Sequence, residues 1–306
     1  MSRALVLISP AASRGRDPSR RERLAKAIDA GLEARGLAAE HAITATALEA
    51  SDLLHAAAAE GYDLAVMAGG DGSVRLAVHA LAGTSLPIAI VPLGTGNLLA
   101  ATLGVPRDPF AAAARLAVSE AVTIDTGLLE ADDTRESFAV AAGVGFDARV
   151  MKATDPATKA RFGILAYFGT VFRMLGSLPS VATEIVVDDR TYELSTVAVL
   201  VANCGQILPG LLGPRAPLDP TDGLLDVVAI RSGTFPTGLS TAASSAINSL
   251  LRGEIGTDGP SVRLQGKRIT VTTDPPEPVQ VDGDLLALGS GTFRATSRPA
   301  SLTVLV

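Results

Sequence analysis

A glycine-rich turn at residues 69–73, Gly-Gly-Asp-Gly-Ser, constrains this chain more than any other feature. It follows an apolar run at 63–68 that is typical of a buried strand, and it precedes a run at 74–81 with the apolar spacing of a helix. Glycines at such a turn let backbone N–H groups approach an anion, and the helix N-terminus favours negative charge. Because Asp71 alone would repel a phosphate, the turn predicts a nucleotide site with Mg²⁺ or water between the two.

A second glycine-rich turn, residues 93–97 (Leu-Gly-Thr-Gly-Asn), follows another apolar run at 87–92. Parallel strands joined by helices end at the same edge of a sheet, where ligands bind, so both turns are expected to line one crevice. The Gly-x-x-x-x-Gly-Lys-Ser/Thr motif is absent, which excludes a P-loop NTPase. The first strand–helix turn also lacks the Rossmann Gly-x-Gly-x-x-Gly fingerprint.

Strand and helix signals alternate through residues 1–126. Asp17-Pro18 and Asp108-Pro109 each place an N-cap aspartate before a proline at the first helical position. The alternation predicts a three-layer α/β nucleotide domain whose mostly parallel sheet is covered on both faces. Strands are expected at 4–9, 42–44, 63–68 and 87–92, and helices at 17–36, 48–59, 74–81, 98–103 and 108–118.

Residues 127–306 contain mainly short apolar runs separated by turn residues, which predicts a C-terminal antiparallel β-sandwich. Two helical segments, 159–174 and 235–251, are expected to interrupt it. The last strand, 302–306, is a candidate to return to the first domain. The strands expected from residue 122 onwards are 122–129, 138–144, 183–187, 195–202, 225–230, 262–272, 279–281 and 302–306.

The composition of the chain argues against several classes of function. A chain of 306 residues that is 47% hydrophobic has room for two folded domains, and its net charge of −6 gives no support for nucleic-acid binding. The single cysteine, Cys204, excludes an internal disulfide framework and a cysteine-based zinc site. We find neither a signal peptide nor a long uninterrupted apolar run, so the sequence predicts a soluble cytoplasmic protein that can still touch a membrane surface.

The two turns, together with four later motifs, resemble the catalytic domain of the diacylglycerol kinase family, which includes bacterial lipid kinases and sphingosine kinases. The resemblance covers nearly the whole chain. It implies an α/β nucleotide domain, a β-sandwich, and ATP bound in the cleft between them. The later motifs are Ile124-Asp125-Thr126-Gly127, Ala142-Gly143-Val144-Gly145-Phe146-Asp147, Asp222-Gly223-Leu224-Leu225-Asp226-Val227 and Val281-Asp282-Gly283-Asp284.

The resemblance also implies roles for individual residues. Asp71 and the glycines beside it would hold the ATP phosphates and Mg²⁺, and Asp282 would be the general base. Asp284 stands where the family usually has Glu, and Asp219, Asp222 and the Leu224 carbonyl match a structural metal site of bacterial members. The predicted ATP-binding residues are Thr44, Gly69, Gly70, Asp71, Gly72, Ser73, Arg75, Gly94, Thr95, Asn97 and Asp125.

The chain departs from the family pattern close to the first turn. Arg75 and Leu76 replace an Asn and a Glu, and Leu98 replaces an Asp that often follows the second turn. Two acidic groups of the metal–water network are therefore missing. Arg75 could contact a phosphate directly, or it could be an ordinary surface arginine.

Residues 162–174 form the densest aromatic and aliphatic stretch of the chain, and basic residues flank it. This stretch is interpreted either as a lipid-binding wall or membrane-facing helix, or as a plain core helix.

The sequence therefore predicts an ATP- and Mg²⁺-dependent kinase of a membrane lipid, with diacylglycerol as the favoured acceptor. It would contact the inner face of a membrane transiently, would not bind nucleic acid, and is a possible homodimer. Two alternatives stay open. One is a kinase of a soluble acceptor such as NAD, and the other is a non-catalytic nucleotide- or lipid-binding homologue.

Overall fold

The computed structural model describes residues 2–44, 46–145, 180–204, 218–231, 261–286 and 290–306. The chain divides into two compact units. The first is Met1–Thr126 with Ala300–Val306, and the second is Gly127–Pro299. The predicted helices at 159–174 and 235–251, and with them the predicted lipid-binding wall, lie outside the described residues.

The first unit alternates strands and helices, as the sequence predicts. Its sheet is completed by a strand from the end of the chain, β15 (Thr292–Leu305), whose last residues belong to this unit. The other elements, in chain order, are β1 (Arg3–Ile8), α1 (Pro18–Ala34), β2 (Ala38–Ala42), α2 (Ala47–Ala59), β3 (Leu64–Gly69), α3 (Asp71–Leu81), β4 (Ile88–Pro92), α4 (Leu98–Thr102), α5 (Pro109–Arg115) and the start of β5 (Ala121–Ala131).

The strands of the first unit lie in the order β15-β4-β3-β1-β2, and every pair along this path is parallel. β3 and β4 are buried along their whole length, as expected for a sheet that helices cover on both faces. α1 packs against α5, and α2 packs against α3. The strand order reverses between β1 and β3, so the loops that follow these strands occupy the position where open α/β sheets bind ligands.

Two helix starts confirm the sequence prediction. Asp17 accepts a hydrogen bond from the Ser19 N–H (2.9 Å), and Pro18 is the first residue of α1. Asp108 accepts from the N–H groups of Phe110 (3.0 Å) and Ala111 (2.9 Å) at the start of α5. Each carboxylate satisfies backbone donors that a helix leaves unpaired at its N-terminus.

The bounds of β2 and α3 are among those that differ from the prediction. The second strand is Ala38–Ala42, not 42–44, because its parallel register with β1 runs from Arg3↔Ala38 to Leu7↔Ala42. Most of this edge strand is polar or exposed, so apolar patterning could not locate it. α3 begins at Asp71 rather than at residue 74, since its first turn consists of small and polar residues that carry no apolar signal.

The second unit consists of antiparallel strands. They are β6 (Thr134–Phe138), β7 (Ala141–Val144), β8 (Val181–Val187), β9 (Arg190–Ala202), β10 (Leu225–Arg231), β11 (Ser261–Gly266), β12 (Arg268–Asp274), β13 (Val279–Val281) and β14 (Asp284–Leu286). The long strand β9 pairs with β7, β8 and β10. Their inward residues form one core in which Phe138 and Phe293 are fully buried.

Two strands predicted as single are divided in the structure. The predicted strand 262–272 is β11 and β12, which part at Lys267 and pair with β10 and β8 respectively. The Asp188 carboxylate accepts the N–H groups of Lys267 (3.1 Å) and Arg268 (2.9 Å) at this point, which ends one ladder and begins the next. The predicted strand 138–144 is likewise shared between the end of β6 and β7.

A buried ion pair joins β10 to β11. Arg263 Nε donates to Asp226 Oδ1 at 2.8 Å, and the two side chains are 16% and 5% exposed. Burial raises the pKa of Asp226 above its ordinary value, and the Arg263 guanidinium opposes that rise. Removing the arginine would leave a buried carboxylate without its countercharge.

We expect Arg263→Met to lower the free energy of unfolding by about 3–5 kcal/mol at pH 7, because a buried charge loses its partner. A carboxyl group whose pKa is raised by folding contributes stability at low pH that is lost as pH rises through the folded pKa. The variant's deficit should therefore shrink at a lower, mildly acidic pH, because the raised pKa of Asp226 favours uptake of its proton there. Urea denaturation at the two pH values measures this.

The exposed ion pair Arg135–Glu130 provides the control, since its side chains are 71% and 43% exposed. Arg135→Met should change stability by less than about 1 kcal/mol. Equal effects of the two substitutions at pH 7 would contradict the assignment of the Asp226 pair as a buried one.

Candidate active site

The two glycine-rich turns touch each other through their backbones. A Cβ built on Gly94 would lie 2.8 Å from the Cα of Gly70, and one on Gly70 would lie 3.3 Å from the Cα of Gly94. The Leu93 N–H also donates to the Gly69 carbonyl at 2.8 Å. Both turns follow adjacent strands, β3 and β4, at the carboxyl edge of the sheet. The structure thus brings the two motifs so close together that a side chain on Gly94 would collide with the backbone of the first turn.

Asp71 joins the two turns with its carboxylate. Oδ2 accepts the Asn97 N–H at 2.8 Å, and Oδ1 accepts the Leu98 N–H at 2.6 Å. These two donors lie at the N-terminus of α4, so the negative charge caps that helix while it also occupies the first turn of α3. This contact gives a structural reason for an acidic residue inside the glycine loop. Its predicted role as a metal ligand stays a prediction.

The N-terminus of α3 has no side-chain cap of its own. Its N-cap residue is Gly70, which has no side chain to make a hydrogen bond. By contrast, α1, α2 and α5 have the N-cap residues Asp17, Thr46 and Asp108, whose side chains accept backbone N–H groups. A Cβ added at Gly72 would meet no atom of the described chain within 4 Å. Packing of the chain therefore does not explain this glycine, and the space beside it suits a group that comes from outside.

The loop after β1 folds over the second turn. Ser13 Oγ and the Arg14 N–H donate to the Leu93 carbonyl, both at 3.1 Å. A Cβ at Gly15 would lie 2.6 Å from the Ser9 carbonyl oxygen, so the loop can close back only with glycine there. The predicted site omitted Ser13 and Gly15. The glycine in the first strand–helix turn was the signal that could have found them.

The other predicted ATP-binding residues lie at different points of this edge. Asn97 has a left-handed backbone conformation (φ 51°). Its side chain closes the second turn, because it accepts the Gly94 N–H (3.0 Å) and donates to the Gly94 carbonyl (2.8 Å). Thr95 is exposed between them. Thr44 follows β2, which β1 separates from β3. Arg75 is the fifth residue of α3 and is partly buried.

Two of the predicted residues have clear structural contacts. Ser73 fills the space beside Gly69, since a Cβ on that glycine would lie 2.4 Å from Ser73 Oγ. Asp125 is 3% exposed and accepts the Ala300 N–H at 2.7 Å. Ala300 has a φ of 47°, so Asp125 holds a strained residue where β15 enters the first unit.

In the second unit, Asp282 and Gly283 form the two-residue turn between β13 and β14, with φ values of 45° and 93°. Positive φ at both central residues is typical of the type I′ hairpin turn, for which Asp-Gly is a preferred pair. The Asp282 carboxylate accepts three backbone N–H groups, those of Ala139 (3.1 Å), Val140 (3.1 Å) and Ala141 (2.8 Å). Asp284 is exposed and begins β14 opposite Val281.

The predicted structural metal site has contacts of its own. Asp219 Oδ1 accepts the N–H (3.0 Å) and hydroxyl (2.6 Å) of Thr221, and Asp222 Oδ1 accepts the Leu224 N–H at 2.9 Å. These are local aspartate turns, which form without a metal ion. Across the described ranges we find no cluster of three or more His, Cys, Asp or Glu side chains placed to hold a metal. The metal assignment stays a prediction.

We expect Gly94→Ala and Gly72→Ala to behave oppositely. The first puts a methyl group 2.8 Å from backbone and should destabilise the protein by about 1–3 kcal/mol. The second enters open space inside a helix and should leave the free energy of unfolding unchanged or raise it by up to about 1 kcal/mol. Equal losses in urea denaturation would show that the turns are not packed as described.

Asp71→Asn should cost about 1.5–3 kcal/mol, because the amide leaves one acceptor oxygen for two backbone donors and removes the charge. Hydrogen exchange at the Leu98 amide should accelerate with it. Asp52→Asn, on the exposed face of α2, is the matched control and should change stability by less than about 0.5 kcal/mol. A loss no larger than that of the control would contradict the bridging role of Asp71.

Among the residues that the structure describes, no helix has both the length and the hydropathy of a membrane span.

Comparisons with known proteins agree with this architecture. A family model described as "Diacylglycerol kinase catalytic domain" matches residues 3–129, and one described as "YegS C-terminal NAD kinase beta sandwich-like domain" matches residues 139–306. A crystal structure from Bacillus anthracis str. Sterne superposes with a TM-score of 0.79 at 22% identity, covering 99% of this chain and 95% of that one. This likeness shows the fold.

Curated relatives also match this chain over most of its length. The Mycobacterium tuberculosis "Diacylglycerol kinase" is 35% identical over 222 residues, which are 68% of this chain and 70% of the relative. The Xanthomonas campestris "Probable lipid kinase YegS-like" is 32% identical over 69% of this chain and 73% of its own length. A Synechocystis protein, "Uncharacterized protein sll0036", is 27% identical over 80% of this chain. The match spans 55% of the length of that relative. With both halves matched in this order, the chain belongs to the diacylglycerol kinase catalytic-domain family.

Proposed function

We propose that this protein is an ATP-dependent lipid kinase that transfers the γ-phosphoryl group of ATP to the hydroxyl of diacylglycerol, giving phosphatidic acid. It would act in the cytoplasm, where it would contact the inner face of the membrane transiently while its lipid is bound. A homodimer is compatible with this activity, which does not require one.

One observation carries the proposal. The N-terminus of α3 presents backbone N–H groups that Gly70 cannot cap, beside a Gly72 that the chain's own packing does not require. A helix N-terminus with closely approachable backbone is a favourable environment for phosphate oxygens. The backbone contact between Gly70 and Gly94 and the Asp71 bridge fix the two turns before any ligand arrives, so little ordering would accompany binding.

Phosphoryl transfer to an alcohol depends mainly on positioning and on neutralising charge, together with a group that accepts the hydroxyl proton. The first turn of α3 would orient the phosphates. Mg²⁺ supplies neutralising charge when it is bound to the phosphate oxygens, and Asp71 is the loop carboxylate that would lie beside it. The turn with Asp282 and Asp284 would supply the carboxylate for the proton.

The lipid acceptor is supported by the relatives rather than by the described contacts. The Mycobacterium tuberculosis relative is named a diacylglycerol kinase, and the Xanthomonas campestris relative is named a lipid kinase. We carry diacylglycerol to this chain as the acceptor on that basis, since one family match includes the two glycine-rich turns and the other includes the Asp282 turn.

The test is a transfer assay with γ-labelled ATP and Mg²⁺, offered diacylglycerol in anionic vesicles, sphingosine, polyprenol or NAD. We expect labelled phosphatidic acid and little label on the other acceptors. Transfer to NAD without transfer to any lipid would overturn the proposal, and transfer to another lipid alone would overturn diacylglycerol as the acceptor.

Gly72→Ala tests the phosphate site in the same assay. Its added methyl meets no described atom of the chain, so the variant should keep wild-type thermal stability. A methyl group in the path of the phosphates should raise the KM for ATP at least about tenfold, equivalent to about 1.4 kcal/mol of lost binding. Wild-type KM in a stable Gly72→Ala variant would place ATP elsewhere.

A further inference from the structure

The turn before β10 contains the groups that match a structural metal site, the Asp219 and Asp222 carboxylates and the Leu224 carbonyl. Mg²⁺ and Ca²⁺ take about six to eight oxygen ligands. In this turn Asp219 Oδ1 accepts the Thr221 N–H and hydroxyl, and Asp222 Oδ1 accepts the Leu224 N–H. The described residues bring no group of three acidic, histidine or cysteine side chains together to hold a metal. The other contacts of Asp222 therefore decide whether a cation fits here.

Gln265 lies between Asp222 and a second carboxylate, that of Asp226. Its Nε2 is 3.2 Å from Asp222 Oδ2 and 3.4 Å from Asp226 Oδ2. The antiparallel register of β10 with β11 places Gln265 directly opposite Asp226, so the backbone fixes this arrangement. A side-chain amide has two N–H donors, whereas an ionised carboxylate only accepts. The amide nitrogen of Gln265 therefore faces both carboxylates and donates one N–H to each.

Arg263 supplies positive charge to the same group of side chains. Its Nε donates to Asp226 Oδ1 at 2.8 Å, and its side chain is 16% exposed. A guanidinium is always charged in a protein. Asp226 therefore has a permanent countercharge from the neighbouring strand of its own sheet.

A divalent cation does not suit this set of groups. Beside Asp222 and Asp226 it would face the amide nitrogen of Gln265, which carries hydrogens and offers no lone pair. The Arg263 guanidinium would also repel it, because like charges oppose each other strongly where water is partly excluded. The chain thus already provides the hydrogen-bond donors and the positive charge that a structural metal ion would supply.

We propose that Gln265 and Arg263 take the place of a structural metal ion in this chain. The amide joins Asp222 to Asp226, and the guanidinium neutralises Asp226. The turn before β10 is held in this way without a divalent cation. This inference concerns the second unit alone and is separate from the Mg²⁺ that would accompany ATP.

The first test measures the Tm of the nucleotide-free protein in EDTA, in Mg²⁺ and in Ca²⁺, beside the same series for Asp222→Asn. A cation bound to the folded protein at about 100 times its Kd would raise Tm by roughly 5–10 °C. We expect the cation-dependent shift to be the same in both proteins. A shift in the wild type that Asp222→Asn loses would overturn the inference. If Asp222→Asn does not fold, Asp219→Asn serves in its place, since that carboxylate bonds to Thr221.

Gln265→Met tests the amide itself, because methionine has a similar length and no N–H donors. It should lower Tm by roughly 2–4 °C, since Asp222 and Asp226 each lose a donor. The variant should gain no response to Mg²⁺ or Ca²⁺. A Gln265→Met variant with the wild-type Tm would contradict the role given to the amide.

Gln265→Glu puts a third carboxylate where the amide lies, and Gln265→Met is its matched control. In EDTA its Tm should fall further than that of the control, because three carboxylates repel one another. Ca²⁺ should restore part of that loss, since oxygen ligands now face each other. A wild-type Tm in EDTA, or a loss that Ca²⁺ leaves unchanged, would contradict the placement of Gln265 between the two carboxylates.

None of these measurements uses ATP or lipid. The proposed kinase function fails separately, by the absence of lipid phosphorylation in the wild type, and that result would leave the account of the turn before β10 intact. A metal-dependent Tm that Asp222→Asn abolishes would refute only that account.

Discussion

The bridge from the Asp71 carboxylate to the Asn97 and Leu98 N–H groups is the interaction on which the candidate site depends. Gly70 and Gly94 have no side chains with which to hold their turns together, and each turn opens onto the N-terminus of a helix, where positive partial charge collects. The single negative charge of Asp71 offsets the positive partial charge at the N-termini of α3 and α4. Its two hydrogen bonds connect the first turn to the second.

The second unit uses carboxylates in a similar way. Asp188 and Asp282 each start a tight hairpin turn with a positive φ and cap the backbone of an adjoining strand. In the first unit, Asp125 lies within β5 and accepts the N–H of Ala300, which itself has a positive φ. Hydrogen bonds to an ionised acceptor are roughly twice as strong as neutral ones, so they can hold backbone conformations that local propensity disfavours. Several acidic residues that resemble site residues thereby have structural contacts of their own.

Periodicity and capping signals predicted the two-part fold, because buried strands such as β3 and helix starts such as Asp17-Pro18 carry strong local patterns. They failed at β2, an edge strand with little apolar surface, and at residue 267, where a carboxylate distant in sequence divides two strands. The sequence predicted the glycine-rich turns, but it did not predict the hydrogen bond from the Leu98 N–H to the Asp71 carboxylate. It spans 27 residues and depends on the register of β3 with β4.

The central claim is that ATP phosphates bind at the N-terminus of α3 between the two turns. The most direct measurement is the shift of backbone amide resonances when the isotope-labelled protein is titrated with a non-hydrolysable ATP analogue and Mg²⁺. We predict saturable shifts that are largest at Asp71, Gly72 and Ser73 and at the amides of the second turn. Saturation of binding while these amides stay unmoved would contradict the account.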